Sequence, residues 1–415
     1  MMRISGSISL PGDKSISHRA LMMASLTEES CVIHNISTGS DVESTRLCLA
    51  ECGIQSENNG SSVWIKSDKL ETPKKPLNCG NSGTTVRLLA GLLAGKGLTA
   101  NFIGDKSLSK RPMSRIIEPL TKMGISIESE NGYLPLSIIP DNLNGIKYSP
   151  PIASAQVKSS IIMAALGAIG ETQLQEKIKT RDHTEIMLKE LGADIQSGDV
   201  ISVQPLKTPL DQFEITIPGD PSSAAFFAAA AAMIPNSDLT INNVLANPLR
   251  IGFFSVLENM GADLQWTHMR KEGGEWVGDV HILNQPLNGI HIMEDIIPTV
   301  IDEIPIIAVL ATQADSPTIV EGASELRVKE SDRIRAICQN LESMGAEIIE
   351  KKNGFIINPI KKLQHTHIKT FGDHRIAMAF TIAGLITSKK NTLDDEMCIN
   401  ISFPEFYEIL SNICN

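Results

Sequence analysis

The chain has 415 residues, more than a single hydrophobic core serves, so two or three domains are expected. Hydrophobic residues make up 42% and charged residues 20%, which excludes a disordered chain. A net charge of −11 and an aromatic share of 4% exclude a general nucleic-acid surface, an anionic-membrane surface and a base-stacking platform, while still permitting a small basic pocket.

In chain order, RISGSISLPG (3–12) reads as a strand whose partner can come from either half of the chain. Asp13 and Lys14 stand where a signal peptide would be apolar, so a cytoplasmic location is expected. Two kinds of helix then alternate. The first kind opens on small polar residues and runs on through small apolar ones: SISHRALMMASL (15–26), NSGTTVRLLAGLLAG (81–95), AQVKSSIIMAALGA (155–168), PSSAAFFAAAAAMI (221–234), DEIPIIAVLATQ (302–313) and HRIAMAFTIAGLI (374–386). Without a polar face, such helices are expected to be buried on all sides. The second kind carries apolar residues at helical spacing and ends in Gly53, Gly124, Gly192, Gly261 or Gly345, at intervals of roughly seventy to eighty residues. These glycines predict left-handed C-caps, each followed by a short strand. FPEFYEILSNIC (403–414) reads as a sixth, diverged copy.

Six units, each with a buried helix, an amphipathic helix and short strands, predict an α/β (α+β) fold of two similar domains with three units each. Pro218, Gly219 and Pro221 punctuate the crossing. The expected domains are therefore 14–220, and 1–13 together with 221–415. The most apolar run, AAFFAAAAAMI (224–234), falls well short of the ~20 residues of a membrane span. The seven cysteines are odd in number and form no CxxC, so reduced, mostly packed thiols are expected. There is no HExxH, and no structural metal is expected.

The starts of the buried helices carry the chemistry. The first amide N–H groups of such a helix need partners, and its N-terminus carries partial positive charge, so an anion fits there. Extra polar and charged groups decorate these starts: Lys14, Ser15 and Arg19; Asn81, Ser82, Thr84 and Arg87; Ser154, Gln156 and Lys158; Asp373, His374 and Arg375. The fifth start, Asp302 and Glu303, is acidic. Basic residues also gather in SLSKRP (Lys110, Arg111), KTRDHT (Lys179, Arg181) and ELRVKESDRIR (Arg327, Lys329, Arg333, Arg335). Taken singly, each is equally a helix cap or a solvated charge: Asp302 an N-cap, Glu330 a surface partner of Arg333, Lys14 a loop lysine, His374 a satisfied core histidine. Taken together, in an acidic protein, they predict a binder of small polyanions.

LPGDKSISHRALMMASL, GNSGTTVRLL, KRPM, ASAQVKS, RDHT, IDEIP, RVKESDRI and GDHRIAMAF, in this order over residues 10 to 382, resemble the motif series of the 5-enolpyruvylshikimate-3-phosphate (EPSP) synthase family. The resemblance implies two domains of three βαβαββ-type units, with the active site in the cleft between them. It implies transfer of the enolpyruvyl group of phosphoenolpyruvate (PEP) to the 5-hydroxyl of shikimate 3-phosphate, with release of phosphate and no cofactor. Lys14, Gly83, Arg111, Gln156, Arg333, His374 and Arg375 are implied around PEP. Lys14, Ser15, Arg19, Ser154, Ala155, Gln156, Arg181, Asp302 and Lys329 are implied around shikimate 3-phosphate. Asp302 resembles the carboxylate that accepts the hydroxyl proton and Glu330 the residue that protonates the PEP methylene; with Lys14 they form the catalytic set.

The sequence departs from other members in three places. Ile399, Asn400 and Ile401 stand where some carry a lysine, Ala155 where some have a second serine, and Thr180 and Arg181 in a segment that elsewhere holds a tyrosine. Gly83 is retained at a position linked to glyphosate binding, so glyphosate is expected as an inhibitor. A monomer with no nucleic-acid or membrane partner is expected. Two other readings share some of these features. One is the sister enzyme acting on UDP-N-acetylglucosamine, whose usual loop cysteine is absent from GDKSLSKRPMS. The other is a non-catalytic anion-binding protein.

Overall fold

The computed structural model describes residues 2–66 and 68–415. They form two compact units. The N-terminal unit comprises Gly12–Ile217 with Glu272–Glu275; the C-terminal unit comprises the chain up to Pro11, Pro218–Lys271 and Trp276–Asn415. The divisions fall at Pro11/Gly12 and Ile217/Pro218 rather than after Asp13 and Asp220, and the segment Glu272–Glu275 was not expected in the N-terminal unit.

The described helices are α1 (Lys14–Ala24), α2 (Ser40–Glu51), α3 (Gly83–Gly95), α4 (Ser114–Lys122), α5 (Ala155–Ala165), α6 (His183–Glu190), α7 (Pro221–Met233), α8 (Gly252–Asn259), α9 (Ile297–Val300), α10 (Ile304–Thr312), α11 (Arg333–Ser343), α12 (His374–Leu385) and α13 (Phe406–Ile413). The six predicted buried helices correspond to α1, α3, α5, α7, α10 and α12. Helix α7 shows why they lie inside: from Ala224 to Ala232 no residue is more than 1% exposed, since a helix apolar all round has no face to offer water. Gly53, Gly124, Gly192, Gly261 and Gly345 all have φ between +83° and +105°, the left-handed turn expected at the ends of the amphipathic helices.

Sheets repeat with the helices. In the N-terminal unit the strand orders are Glu214–Thr216, Cys31–His34, Ser62–Ile65, Ser56–Asn59; then Leu77–Asn78, Ala100–Ile103, Tyr133–Pro140, Ile125–Glu130; then Lys147–Tyr148, Thr172–Leu174, Ile201–Val203, Ile195–Gln196. Each opens with a parallel pair followed by an antiparallel one. The C-terminal unit repeats the plan in Ser5–Ser9, Asp238–Leu245, Glu275–Leu283, Asp263–Glu272 and in His291–Ile292, Thr318–Val320, Gly354–Ile357, Ile348–Lys351. Its third sheet keeps only the parallel pair His367–Ile368 and Thr392–Leu393. The first strand, which could have joined either half, belongs to the C-terminal unit: Ser5–Ser9 pairs with Asp238–Asn242. In that unit Phe226 and Phe227 of α7 meet Phe406 of α13 at ring-centroid distances of 6.0 and 5.7 Å, so the diverged last copy is a packed helix.

Two packing features set the positions of the helix starts. Helices α3 and α5 approach closely because Gly91 has no side chain; a methyl there would fall on the carbonyl oxygen of Ser160. Helix α10 begins later than expected. Its N-cap is Glu303, without a side-chain capping bond, so Asp302 lies before the helix and is not its cap.

Candidate active site

In the N-terminal unit, α1 starts at Lys14 because the Asp13 carboxylate accepts from Ile16 N at 2.8 Å. Lys14 Nζ donates to Asp41 Oδ2 at 3.0 Å. Arg19, only 2% exposed, forks across three helices: its Nη1 donates to Ser15 O at 2.8 Å, Nη2 to Ser159 Oγ of α5 at 2.8 Å, and Nε to Thr184 Oγ1 of α6 at 2.7 Å. A buried guanidinium needs such a set of acceptors to offset its lost hydration. His18, fully buried beside these cations, is held well below its ordinary pKa by burial first and then by Lys14 and Arg19.

Helix α3 is capped by Ser82, which accepts from Thr85 N at 3.1 Å, and α5 by Ser154, which accepts from Val157 N at 3.5 Å. Because these helices are close, their first turns interlock. Arg87 donates to Gln156 Oε1, and Gln156 Nε2 donates to Thr84 Oγ1 at 2.9 Å. Arg111 Nη2 donates to Asn81 Oδ1 at 2.6 Å and to Ser107 Oγ at 3.3 Å, which ties the KRPM loop to the turn that opens α3. A methyl on Gly83 would stand 2.8 Å from Arg87 Nη1. Ala155, first residue of α5, offers only its backbone. Arg181 is half-buried just before α6, and the Thr180 carbonyl accepts from Lys158 Nζ at 3.0 Å. The unit thus brings helix starts and guanidinium or ammonium groups together, an arrangement whose charge and donors are complementary to an anion.

In the C-terminal unit, acid joins base. Arg333, 1% exposed, is the hub. Its Nε donates to Asp373 Oδ2 at 2.8 Å, Nη2 to Glu330 Oε2 at 2.6 Å and Nη1 to Asp302 Oδ1 at 3.5 Å. Burial pulls its pKa down, but Asp373, Glu330 and Asp302 more than offset that and leave it raised. Lys329 Nζ lies 3.8 Å from Asp302 Oδ1. Arg375 Nη1 donates to Asp302 O at 3.0 Å and to Glu303 Oε1 at 3.4 Å. Asp373 also caps α12 by accepting from Arg375 N at 3.0 Å. His374 is buried, at 1% exposure, between these two residues of the cap. Glu303 is 2% exposed, and burial raises its carboxyl above the ordinary range against the pull of Arg375.

Asp302, Lys329, Glu330, Arg333, His374 and Arg375 thus fall into one cluster. Lys14, Ser15, Arg19, Gly83, Arg111, Ser154, Ala155, Gln156 and Arg181 sit at linked helix starts of the other unit. Sequence reasoning missed the partners that hold them: Asp41 for Lys14, Ser159 and Thr184 for Arg19, Asp373 for Arg333, and Ser222, whose hydroxyl donates to Glu303 at 2.5 Å. Asp373 and Ser222 had a local signal, each lying at a buried-helix start. Among the described residues no group of three or more His, Cys, Asp or Glu could hold a metal ion. No helix among them is long and apolar enough to cross a membrane.

Comparison with known proteins places the chain in a family. The family model for EPSP synthase (3-phosphoshikimate 1-carboxyvinyltransferase) matches residues 1–410. A 3-phosphoshikimate 1-carboxyvinyltransferase of Oceanobacillus iheyensis is 44% identical over 414 residues, covering 98% of this chain and 96% of that protein. One of Thermodesulfovibrio yellowstonii is 45% identical over 415 residues, with the same coverage. The structure of EPSP synthase from Acinetobacter baumannii superposes with a TM-score of 0.88 at 39% identity, covering 100% of this chain and 96% of that one. The enolpyruvyl transferase NikO from Streptomyces tendae shares the fold, with a TM-score of 0.80 at 15% identity over the same coverage. With the ordered motifs, the repeated sheets and near-complete coverage all agreeing, the chain belongs to the EPSP synthase (3-phosphoshikimate 1-carboxyvinyltransferase) family.

Proposed function

We infer that this chain is a transferase that moves the enolpyruvyl group of PEP to the 5-hydroxyl of shikimate 3-phosphate, a step of aromatic amino acid biosynthesis by the shikimate pathway. Both substrates are anions with a phosphate and a carboxylate, which accounts for the concentration of cations in an acidic protein. Ser15, Arg19, Ser154, Gln156 and Arg181, with the backbone at Ala155 and with Lys329, serve shikimate 3-phosphate. Lys14, Arg111, Arg333, His374 and Arg375, with Gln156 and the N–H of Gly83, serve PEP. Planar guanidinium groups suit carboxylate and phosphate because each can donate two parallel hydrogen bonds.

The reaction is an addition followed by an elimination. Asp302 takes the proton of the 5-hydroxyl as its oxygen attacks C2 of PEP, and Glu330 gives a proton to C3. The tetrahedral ketal phosphate then returns a C3 proton to the Glu330 carboxylate while the bond from C2 to the phosphate oxygen breaks, restoring the vinyl group and releasing phosphate. Cationic character at C2 is stabilised by the nearby carboxylates. The observation that carries the assignment is that Asp302 and Glu330, distant in sequence, meet on one buried guanidinium, Arg333. That contact fixes the positions of both carboxylates.

Phosphate release is expected only with PEP and shikimate 3-phosphate together; release with UDP-N-acetylglucosamine in place of the latter would reject the reading. Asp302→Asn and Glu330→Gln are expected to lower kcat by roughly 10²–10⁴-fold while the KM for shikimate 3-phosphate moves little; wild-type turnover by both variants would remove them from the chemistry. Gly83 supports glyphosate as a competitor of PEP, and inhibition that rising PEP relieves is the expected kinetic pattern. We read the enzyme as a monomer, which sedimentation velocity tests. A cytoplasmic location fits its seven free cysteines.

A further inference from the structure

The segment that carries Arg181 is held in the N-terminal unit by a buried clamp. Thr180, 6% exposed, has three of its polar groups engaged by two side chains. Its hydroxyl donates to Glu176 Oε1 at 2.5 Å, its N–H to Glu176 Oε2 at 3.5 Å, and its carbonyl accepts from Lys158 Nζ at 3.0 Å. Lys158 is 1% exposed. Its ammonium reaches Glu176 Oε2 at 2.9 Å and Glu185 Oε1 of α6 at 2.8 Å. A lysine that deeply buried is retained only with charge partners and full hydrogen bonding. Here those bonds converge on the residue just before Arg181.

The geometry points to Lys158, Glu176 and Thr180 as positioning residues that set where the Arg181 guanidinium meets the phosphate of shikimate 3-phosphate. The inference rests on the proposed role of Arg181. Lys158 lies on α5, one turn beyond Ser154, and Ser154 and Gln156 are read as partners of the same ligand. The clamp therefore registers a loop cation against the helix start that faces the same phosphate. Two elements converging on one anion must keep their spacing within a fraction of an ångström to bind it together. This also gives Thr180 a purpose in a segment where the sequence departs from other family members: a short hydroxyl next to Arg181, held by the partly buried carboxylate of Glu176.

The test uses Thr180→Val, which keeps shape and backbone and removes only the hydroxyl; deleting Lys158 would strand two carboxylates and endanger folding. Thr180→Val is expected to raise the KM for shikimate 3-phosphate about tenfold, the worth of one hydrogen bond to a charged group. Its kcat and KM for PEP should stay within twofold, and Thr180→Ser should restore the wild-type value. In an Arg181→Met background, Thr180→Val should add nothing, because the two act as one unit. A drop in melting temperature with unchanged KM for shikimate 3-phosphate would overturn the clamp, as would full additivity with Arg181→Met. If Arg181→Met itself leaves that KM unchanged, the premise about Arg181 fails and the clamp falls with it.

Discussion

A titratable side chain reports its surroundings through the form it keeps. His18 accepts or donates one bond, at 2.7 Å to Thr45 Oγ1, and is completely buried next to Lys14 and Arg19. Burial and the two cations hold its pKa well below the ordinary 6.5. The native state therefore binds fewer protons at His18 than the unfolded chain as pH falls through 6.5. Its contribution is undiminished above that pH and is lost below it, with a slope approaching ~1.4 kcal/mol per pH unit. His18→Gln can keep the bond to Thr45 and carries no proton to gain. Urea unfolding from pH 8 to pH 5 should show wild-type stability falling away relative to His18→Gln below pH 6.5; parallel curves would exclude this account. Buried guanidiniums show the opposite outcome. Arg19 and Arg333 keep their charge inside the protein because every fork of the guanidinium finds an oxygen, which makes each a rigid donor rather than a solvated chain end.

At the scale of elements, helix-to-helix distance decides whether side chains at the helix starts can cooperate. Arg87 and Thr84 of α3 reach Gln156 of α5 only because Gly91 lets the two backbones touch. Gly91→Ala would place a methyl against the Ser160 carbonyl. Neither partner is a flexible side chain, so the helices must separate. A loss of about 2–3 kcal/mol in urea unfolding is expected, the usual cost of overpacking, together with a raised KM for both substrates. An unchanged midpoint would mean that the contact is looser than described. The glycine itself was visible in the motif GTTVRLLAGLLAG, but its purpose was not, because nothing local says which backbone will lie opposite.

For the whole molecule, the order of segments along the chain matters more than their composition. The C-terminal unit borrows the first strand: Ser5–Ser9 lies parallel to Asp238–Asn242, with Ile4 buried at 0% and Ile8 at 9% exposure. The chain ends meet as well, since Arg3 and Asn415 exchange backbone hydrogen bonds at 2.9 and 3.0 Å. Deleting residues 2–9 removes a sheet edge and two buried side chains from that unit, each worth about 1.5–3 kcal/mol. Calorimetry should show one transition displaced downward and another, belonging to the N-terminal unit, in place. A uniform shift of a single transition would contradict this.

The alternation of two helix types and the five glycine C-caps were legible in the sequence, because burial on all sides and left-handed turns each follow from a few adjacent residues. The ordered motifs carried the family for the same reason. Pairings across the chain were not legible. Arg19 meets Thr184 165 residues on, Arg333 meets Asp373 40 residues on, and Asp302 proved to precede helix α10 rather than cap it. Such contacts depend on how helices and sheets stack, and stacking is settled by the sum of many weak apolar contacts over the whole unit. Local residues supply the charges; only the packed core decides which of them become partners.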